Sequence, residues 1–124
     1  MSEKFILLVD DNPETRQLLT YALSDAGLSV KAAKNVLGAV EMLHCGDPVP
    51  DLIITDLVMP QTTGWDLLAH LRDDALLRHV PVMVVTGADP TETPVIADVV
   101  LQKPLDPFEV VRTARRLMGL PPQL

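Results

Sequence analysis

The chain has 124 residues, of which 48% are apolar and 22% charged, a composition typical of one globular domain with a hydrophobic core. Its formal net charge of -7 argues against direct binding to nucleic acid or to an anionic membrane surface. No apolar run reaches the roughly 20 residues of a membrane span, and the N-terminus lacks the pattern of a signal peptide, so a cytoplasmic protein without membrane insertion is expected.

The single cysteine, Cys45, can form no disulfide within the chain, which suits a reducing compartment. Because free cysteines are among the most buried residue types, a small core residue is expected at this position. Neither an internal repeat nor a linker divides the sequence, and residues 1–124 are therefore predicted to form one domain.

Apolar runs predict five strands separated by helices. The strands are predicted at residues 5–9, 28–33, 52–54, 82–85 and 99–102. Apolar residues at helical spacing predict helices over about 13–26, 36–45, 64–75 and 107–118. The N-caps of these helices are predicted at Asn12, Asn35, Thr62 or Thr63, and Asp106. Alternation of strands and helices implies an α/β fold, a single doubly wound five-stranded parallel sheet with helices on both faces.

The connection between the fourth and fifth strands departs from this regularity. It runs from Gly87 to Asp98, twelve residues, and contains Pro90 and Pro94. A helix begun near Gly87 would be broken by Pro94, and Pro90 disfavours a helical conformation of Asp89. The fourth helix is therefore predicted to be shortened or irregular, with one turn at most.

Five polar residues fall at the carboxyl ends of four strands. Asp10 and Asp11 follow the first strand, Asp56 the third, Thr86 the fourth and Lys103 the fifth. Each alone has an ordinary structural explanation, but in a parallel sheet all five would meet at one edge, where such sheets bind ligands. Two carboxylates 4 Å apart repel by about 4 kcal/mol at an effective dielectric of 20, so either one is protonated or a cation is bound. Oxygen ligands favour Mg²⁺. The hydroxyl of Thr86 and the ammonium of Lys103 suit a phosphoryl group.

With these motifs the chain resembles the receiver domain of two-component response regulators, the fold of the bacterial chemotaxis regulator, over essentially its whole length. The motifs are the Asp10-Asp11 pair, the segment Asp56-Leu-Val-Met-Pro with Gly64 after it, Thr86-Gly87 and Lys103-Pro104. The resemblance implies a flavodoxin-like strand order, 2-1-3-4-5, and a cis Lys103-Pro104 bond. It also implies that the protein accepts phosphoryl groups in histidine-to-aspartate phosphotransfer.

On this resemblance Asp56 is the nucleophile that takes the phosphoryl group from a sensor histidine kinase or a histidine phosphotransfer protein. Asp11 ligates Mg²⁺ directly, and Asp10 does so mainly through water. Asp56 and the backbone carbonyl of Val58 complete the ligands from the protein. The implied protein is not an enzyme beyond its own phosphotransfer and dephosphorylation.

The remaining implied roles concern the phosphoryl oxygens. Lys103 would pair with them, and Thr86 would donate its hydroxyl to them once the site is loaded. Val100 stands where the family commonly has an aromatic residue, three positions before the lysine, so the usual coupling between threonine and aromatic residue cannot operate as such. Many receivers dimerise through the face made of the fourth helix, fifth strand and last helix, and this face is expected to be remodelled here.

Two other functions fit parts of the sequence. One is a pseudo-receiver, an interaction module that uses the fold without phosphorylation; the complete set of acidic residues argues against it. The other is a Mg²⁺-dependent phosphohydrolase with an aspartyl nucleophile, but Val58 occupies the place where such an enzyme usually has its general acid. His44, His70 and His79 are expected on helix surfaces or loops, away from the acidic edge. Nothing in the sequence identifies the downstream target.

Overall fold

The structure, a computed structural model, describes residues 4–45, 49–57, 63–87 and 97–121. In these ranges the strands are β1 (Phe5–Val9), β2 (Ser29–Ala33), β3 (Leu52–Thr55), β4 (Val82–Thr86) and β5 (Val99–Gln102). The helices are α1 (Pro13–Asp25), α2 (Val36–His44), α3 (Gly64–Asp73) and α4 (Pro107–Leu117), with a 3-10 turn at Leu77–His79.

The five strands form one parallel sheet in the order β2-β1-β3-β4-β5, which confirms the predicted order. All residues of β1, β3 and β4 are buried, because helices cover both faces of the central strands. One apolar cluster joins the sheet to α2 and α3, and another joins it to α1 and α4. Leu7 belongs to the first cluster and its neighbours Ile6 and Leu8 to the second, as the two-residue period of a strand requires.

Side-chain caps fix the starts of the four helices. The predicted N-caps Asn12, Asn35, Thr63 and Asp106 each accept a hydrogen bond from a backbone N–H of the first turn. Thr63 and Asp66 also form a reciprocal capping box at the start of α3. Because β1 ends at Val9 and the cap stands at Asn12, the chain has only two residues in which to turn, and these are the two aspartates.

The predicted shortened fourth helix lies outside the described residues. The structure gives the end of β4 at Thr86 and the start of β5 at Val99, with Ala97 and Asp98 leading into that strand. The Asp98 carboxylate accepts the N–H of Val82 at 2.8 Å, and the Asp98 N–H donates to the Val82 carbonyl at 3.0 Å. These two bonds fix the register of β5 against β4 at its first residues.

The expectation that Cys45 is a core residue is wrong. Cys45 is the C-cap of α2 and its thiol is exposed. The residue follows His44, also exposed, at the point where the chain leaves the helix, so its side chain has no layer of the core to enter. The general burial preference of cysteine is outweighed here by position in the fold.

Candidate functional site

Two aspartates extend the hydrogen-bond ladders of the central strands by one residue. The N–H of Asp10 donates to the carbonyl of Ala33 at 3.2 Å, and the N–H of Asp56 donates to the carbonyl of Val9 at 3.1 Å. The backbone of each aspartate is thereby fixed to a neighbouring strand. Their carboxylates therefore emerge side by side at the carboxyl edge of the sheet, as the sequence predicts.

Lys103 reaches this edge from the last strand. Its backbone N–H donates to the carbonyl of Thr86 at 2.7 Å, which aligns the ends of β4 and β5. Its ammonium Nζ lies 3.0 Å from Oδ2 of Asp56 and 3.4 Å from Oδ2 of Asp10. The peptide bond between Lys103 and Pro104 is cis, as the resemblance implied. One cation thus bridges two carboxylates that belong to different strands.

The three predicted acidic residues form a cluster that suits a hard cation. One carboxylate oxygen from each of Asp10, Asp11 and Asp56 lies within 4.8 Å of the other two. Asp10 and Asp56 are buried, with 2% and 7% of their surface exposed, whereas Asp11 is exposed, so the cluster opens to solvent on one side. Oxygen donors with room for water are the ligands that Mg²⁺ prefers, and this donor set fits the ion.

Electrostatics at the site follow from burial. Burial raises the pKa of Asp10 above its ordinary value, although the N–H of Asn12, which donates to Oδ1 at 2.9 Å, and the charge of Lys103 act in the opposite direction. Burial would lower the pKa of Lys103, but its hydrogen bond to Asp56 and the charges of Asp10 and Asp56 outweigh it, and the pKa is raised. Lys103 is therefore a permanent cation, while the anionic form of Asp10 gains from any further positive charge.

Both carboxylate oxygens of Asp56 are oriented by the protein. Oδ1 accepts the N–H of Leu57 at 2.6 Å, and Oδ2 accepts from Lys103. The backbone carbonyl of Asp56 accepts the hydroxyl of Thr55, a fully buried residue of β3, at 2.9 Å. These bonds hold the carboxyl group in a fixed direction at the end of its strand.

Arg16 is a residue of the site that the sequence did not reveal. Its guanidinium donates from Nη1 to the backbone carbonyl of Asp10 at 2.8 Å and thereby ties α1 to the acidic turn. Arg16 lies six residues after Asp10, which permits this contact but does not predict it. The contact is seen only once the direction of the Arg16 side chain from α1 is known. Of the other predicted site residues, Thr86 is buried at the end of β4, whereas Val58 lies outside the described residues.

The sheet has the flavodoxin-like strand order, and aspartates and a lysine lie together at its carboxyl edge. The sequence model of the response regulator receiver domain matches residues 6–115. The chain therefore belongs to the response regulator receiver domain family of two-component systems. Phosphorylation and the binding of Mg²⁺ at an acidic pocket are typical of this family, whose members are signalling modules.

Individual relatives agree with this assignment. The chain is 34% identical to response regulator Rre1 of Synechocystis over 92% of its own length and 51% of that protein. The chemotaxis response regulator CheY4 of Vibrio cholerae superposes with a TM-score of 0.84 at 27% identity, covering 94% and 99% of the two chains. TrrA of Thermotoga maritima, solved in complex with Mg²⁺-BeF, superposes with a TM-score of 0.80 at 25% identity. The match covers 93% of this chain and 99% of TrrA.

The chain spans about half the length of Rre1, so the activity of that whole protein does not transfer to it. In the part of the chain that the structure describes, no helix is long and apolar enough to cross a membrane.

Proposed function

We propose that the chain is a cytoplasmic receiver in which Asp56 accepts a phosphoryl group from the phosphohistidine of a sensor histidine kinase or a histidine phosphotransfer protein. In this proposal residues 1–124 act as one receiver domain, and the signal passes on through changed protein–protein binding or a phosphorelay. The observation that carries the proposal is the contact of Lys103 with both Asp56 and Asp10 at the carboxyl edge of the sheet.

The proposed transfer makes one bond and breaks one. A carboxylate oxygen of Asp56 attacks the phosphorus, the bond from phosphorus to the imidazole nitrogen of the partner breaks, and that nitrogen keeps the electron pair. The product on this chain is an acyl phosphate. Attack by an anion on an anionic group meets repulsion, and Lys103, 3.0 Å from Asp56, supplies the nearest positive charge among the described residues.

The other residues of the edge have supporting roles in the proposal. Asp10, Asp11 and Asp56 would hold Mg²⁺, with the backbone carbonyl of Val58 as the fourth group from the protein. When bound, Mg²⁺ supplies positive charge beside the transferring group. The hydroxyl of Thr86, at the end of β4, would donate to a phosphoryl oxygen.

The proposal is tested by phosphorylation with a small donor. We expect acetyl phosphate with Mg²⁺ to add one phosphoryl group to the wild-type chain, detected by intact-mass spectrometry. The added mass should be absent in Asp56→Ala and after chelation with EDTA. Asp25→Ala, which removes an exposed carboxylate at the end of α1, is the matched control and should react like the wild type.

Two outcomes would contradict the proposal in different ways. An equal yield in Asp56→Ala would place the modification on another residue. A folded wild type that binds Mg²⁺ but takes up no phosphoryl group, from acetyl phosphate or from a panel of phosphorylated kinases, would support the pseudo-receiver instead.

A further inference from the structure

Two histidines face each other across α2 and α3, outside the acidic cluster. His44 is the last residue of α2 and His70 lies within α3. Their Nε2 atoms are 2.9 Å apart, the ring centroids are 5.1 Å apart and the ring planes are perpendicular. The two nitrogens therefore point at each other across the gap between the helices.

The two facing nitrogens can share one proton or one metal ion. A neutral imidazole has one donor and one acceptor nitrogen, so the contact as it stands needs one ring to donate and the other to accept. If both rings present unprotonated Nε2 atoms, a metal ion can replace the shared proton. Imidazole nitrogen is a favoured ligand of Zn²⁺, Cu²⁺ and Ni²⁺, and it is a poor ligand for Mg²⁺.

The distance between the rings is close to what a metal requires. Zn–N bonds of about 2.0–2.1 Å in a tetrahedron place two ligand nitrogens about 3.4 Å apart. The rings would have to separate by about 0.5 Å from their present 2.9 Å. His44 is exposed and His70 is partly exposed, so rotation of the side chains can provide this movement without disturbing the core.

Asp74 supplies negative charge beside the two rings. It is the C-cap of α3, the helix that carries His70. The pKa of Asp74 is lowered, first by the backbone N–H groups of Leu76 and Leu77 and, to a smaller extent, by the positive charge that His44 and His70 carry when protonated. The carboxylate is therefore close enough to both histidines to be influenced by them.

We propose that His44 and His70 form a binding site for a borderline-soft divalent metal ion of the Zn²⁺ class, which links α2 to α3. Both imidazole Nε2 atoms ligate the ion, Asp74 provides the neighbouring negative charge, and water fills the remaining positions. The donor types separate this site from the acidic cluster, which offers oxygen alone. The proposal does not depend on phosphorylation of Asp56.

Calorimetric titration of the full chain with Zn²⁺, in the presence of excess Mg²⁺, tests the site. We expect one Zn²⁺ to bind with an affinity that falls on the order of 10²-fold in His44→Ala and in His70→Ala, because each variant turns two-point attachment into one-point attachment. His79→Ala is the matched control: it removes the third histidine, exposed in the 3-10 turn, and should bind like the wild type.

A spectroscopic readout counts the ligands directly. Cu²⁺ electron paramagnetic resonance should show two coordinated nitrogens in the wild type and one in either histidine variant. Asp74→Asn keeps an acceptor for the N–H groups of Leu76 and Leu77 but removes the charge, and should weaken Zn²⁺ binding by up to about fivefold. Unchanged affinity in that variant would remove Asp74 from the site.

Two results would overturn the proposal. The first is Zn²⁺ binding of equal strength in the wild type and in both histidine variants. The second is a Zn²⁺ isotherm that is lost in Asp11→Asn but kept in His44→Ala, since it would place the ion in the acidic cluster. Circular dichroism of the variants should match that of the wild type, because each substitution truncates a side chain outside the apolar core.

Discussion

The ammonium of Lys103 contacts two carboxylates of the acidic cluster, whereas the guanidinium of Arg16 reaches only a backbone carbonyl there. The ammonium bridges Asp56 at 3.0 Å and Asp10 at 3.4 Å. The carboxylates are almost fully buried while the lysine side chain is 25% exposed, so water screens these contacts only in part. Removing the lysine would leave two buried anions without their shared cation.

We expect Lys103→Met to lower the free energy of unfolding by about 2 kcal/mol in metal-free buffer, the scale of a charged hydrogen bond to a buried partner. Mg²⁺ should stabilise the variant more than the wild type, because the ion then meets carboxylates that no ammonium competes for. Urea unfolding with and without Mg²⁺ measures both effects. Lys34→Met, at an exposed position, is the control, and an equal loss in the two variants would show that the contacts at the cluster are unimportant.

The location of the acidic edge could be predicted from the joint pattern of polar residues, because each one directly follows or ends a strand. Position after a buried apolar run fixes both the strand and the edge at which Asp10 or Asp56 emerges. The contact between His44 and His70 could not be predicted in this way. The sequence placed both on helix surfaces or loops, but their distance depends on how α2 and α3 lie against each other, which no spacing in the chain encodes.

The start of α1 shows how a helix cap positions a functional turn. The side chain of Asn12 accepts the N–H groups of Glu14 at 2.9 Å and Thr15 at 3.2 Å, and the backbone N–H of Asn12 donates to Asp10. The same residue therefore begins the helix and orients the first aspartate. Its side chain caps the helix, and its backbone N–H holds the carboxylate of Asp10.

Asn12→Ala should lower the free energy of unfolding by about 1 kcal/mol, because two N–H groups of the first turn lose their acceptor. Asn12→Ser should lose only a fraction of this, since serine caps helices almost as well. Thermal and urea unfolding of the two variants against the wild type provide the comparison. Equal losses in the alanine and serine variants would show that packing, rather than capping, accounts for the effect.

The helix ends were predicted less well than the strands. The predicted third helix extends to residue 75, whereas α3 ends at Asp73 and Asp74 is extended, with φ -98° and ψ 127°. The carboxylate of Asp74 accepts the N–H groups of Leu76 and Leu77 and begins the 3-10 turn. Apolar periodicity continues through this region, so only the local hydrogen bonds of the aspartate show where the helix stops.

Unfolding of the whole metal-free domain should depend on pH through Asp10. Burial is the largest influence on this carboxyl and raises its pKa above the ordinary value of 3.8. The folded chain therefore binds the proton more tightly than the unfolded chain. It follows that the contribution of Asp10 to the free energy of unfolding is greatest below pH 3.8 and falls as the pH rises through the folded-state pKa.

The measurement is the difference in free energy of unfolding between the wild type and Asp10→Asn, in EDTA, across that pH range. Titration of groups distant from Asp10 is shared by the two proteins and cancels to first order, so the difference reports Asp10 together with its neighbours Lys103 and Asp56. We expect the wild type to lose stability relative to the variant as the pH rises. A difference that is constant, or that grows with pH, would show that Lys103 and Asn12, rather than burial, dominate the environment of Asp10.

The cation of the acidic edge follows all three of its anions along the chain. Lys103 lies 93 residues from Asp10 and 47 from Asp56 along the sequence. A nascent chain that has emerged only as far as β3 already carries the three carboxylates, but the ammonium that compensates them arrives with the final strand. If Asp56 accepts a phosphoryl group as proposed, that capacity is tied to completion of the sheet, and a molecule whose last strand is undocked would not pass on the signal.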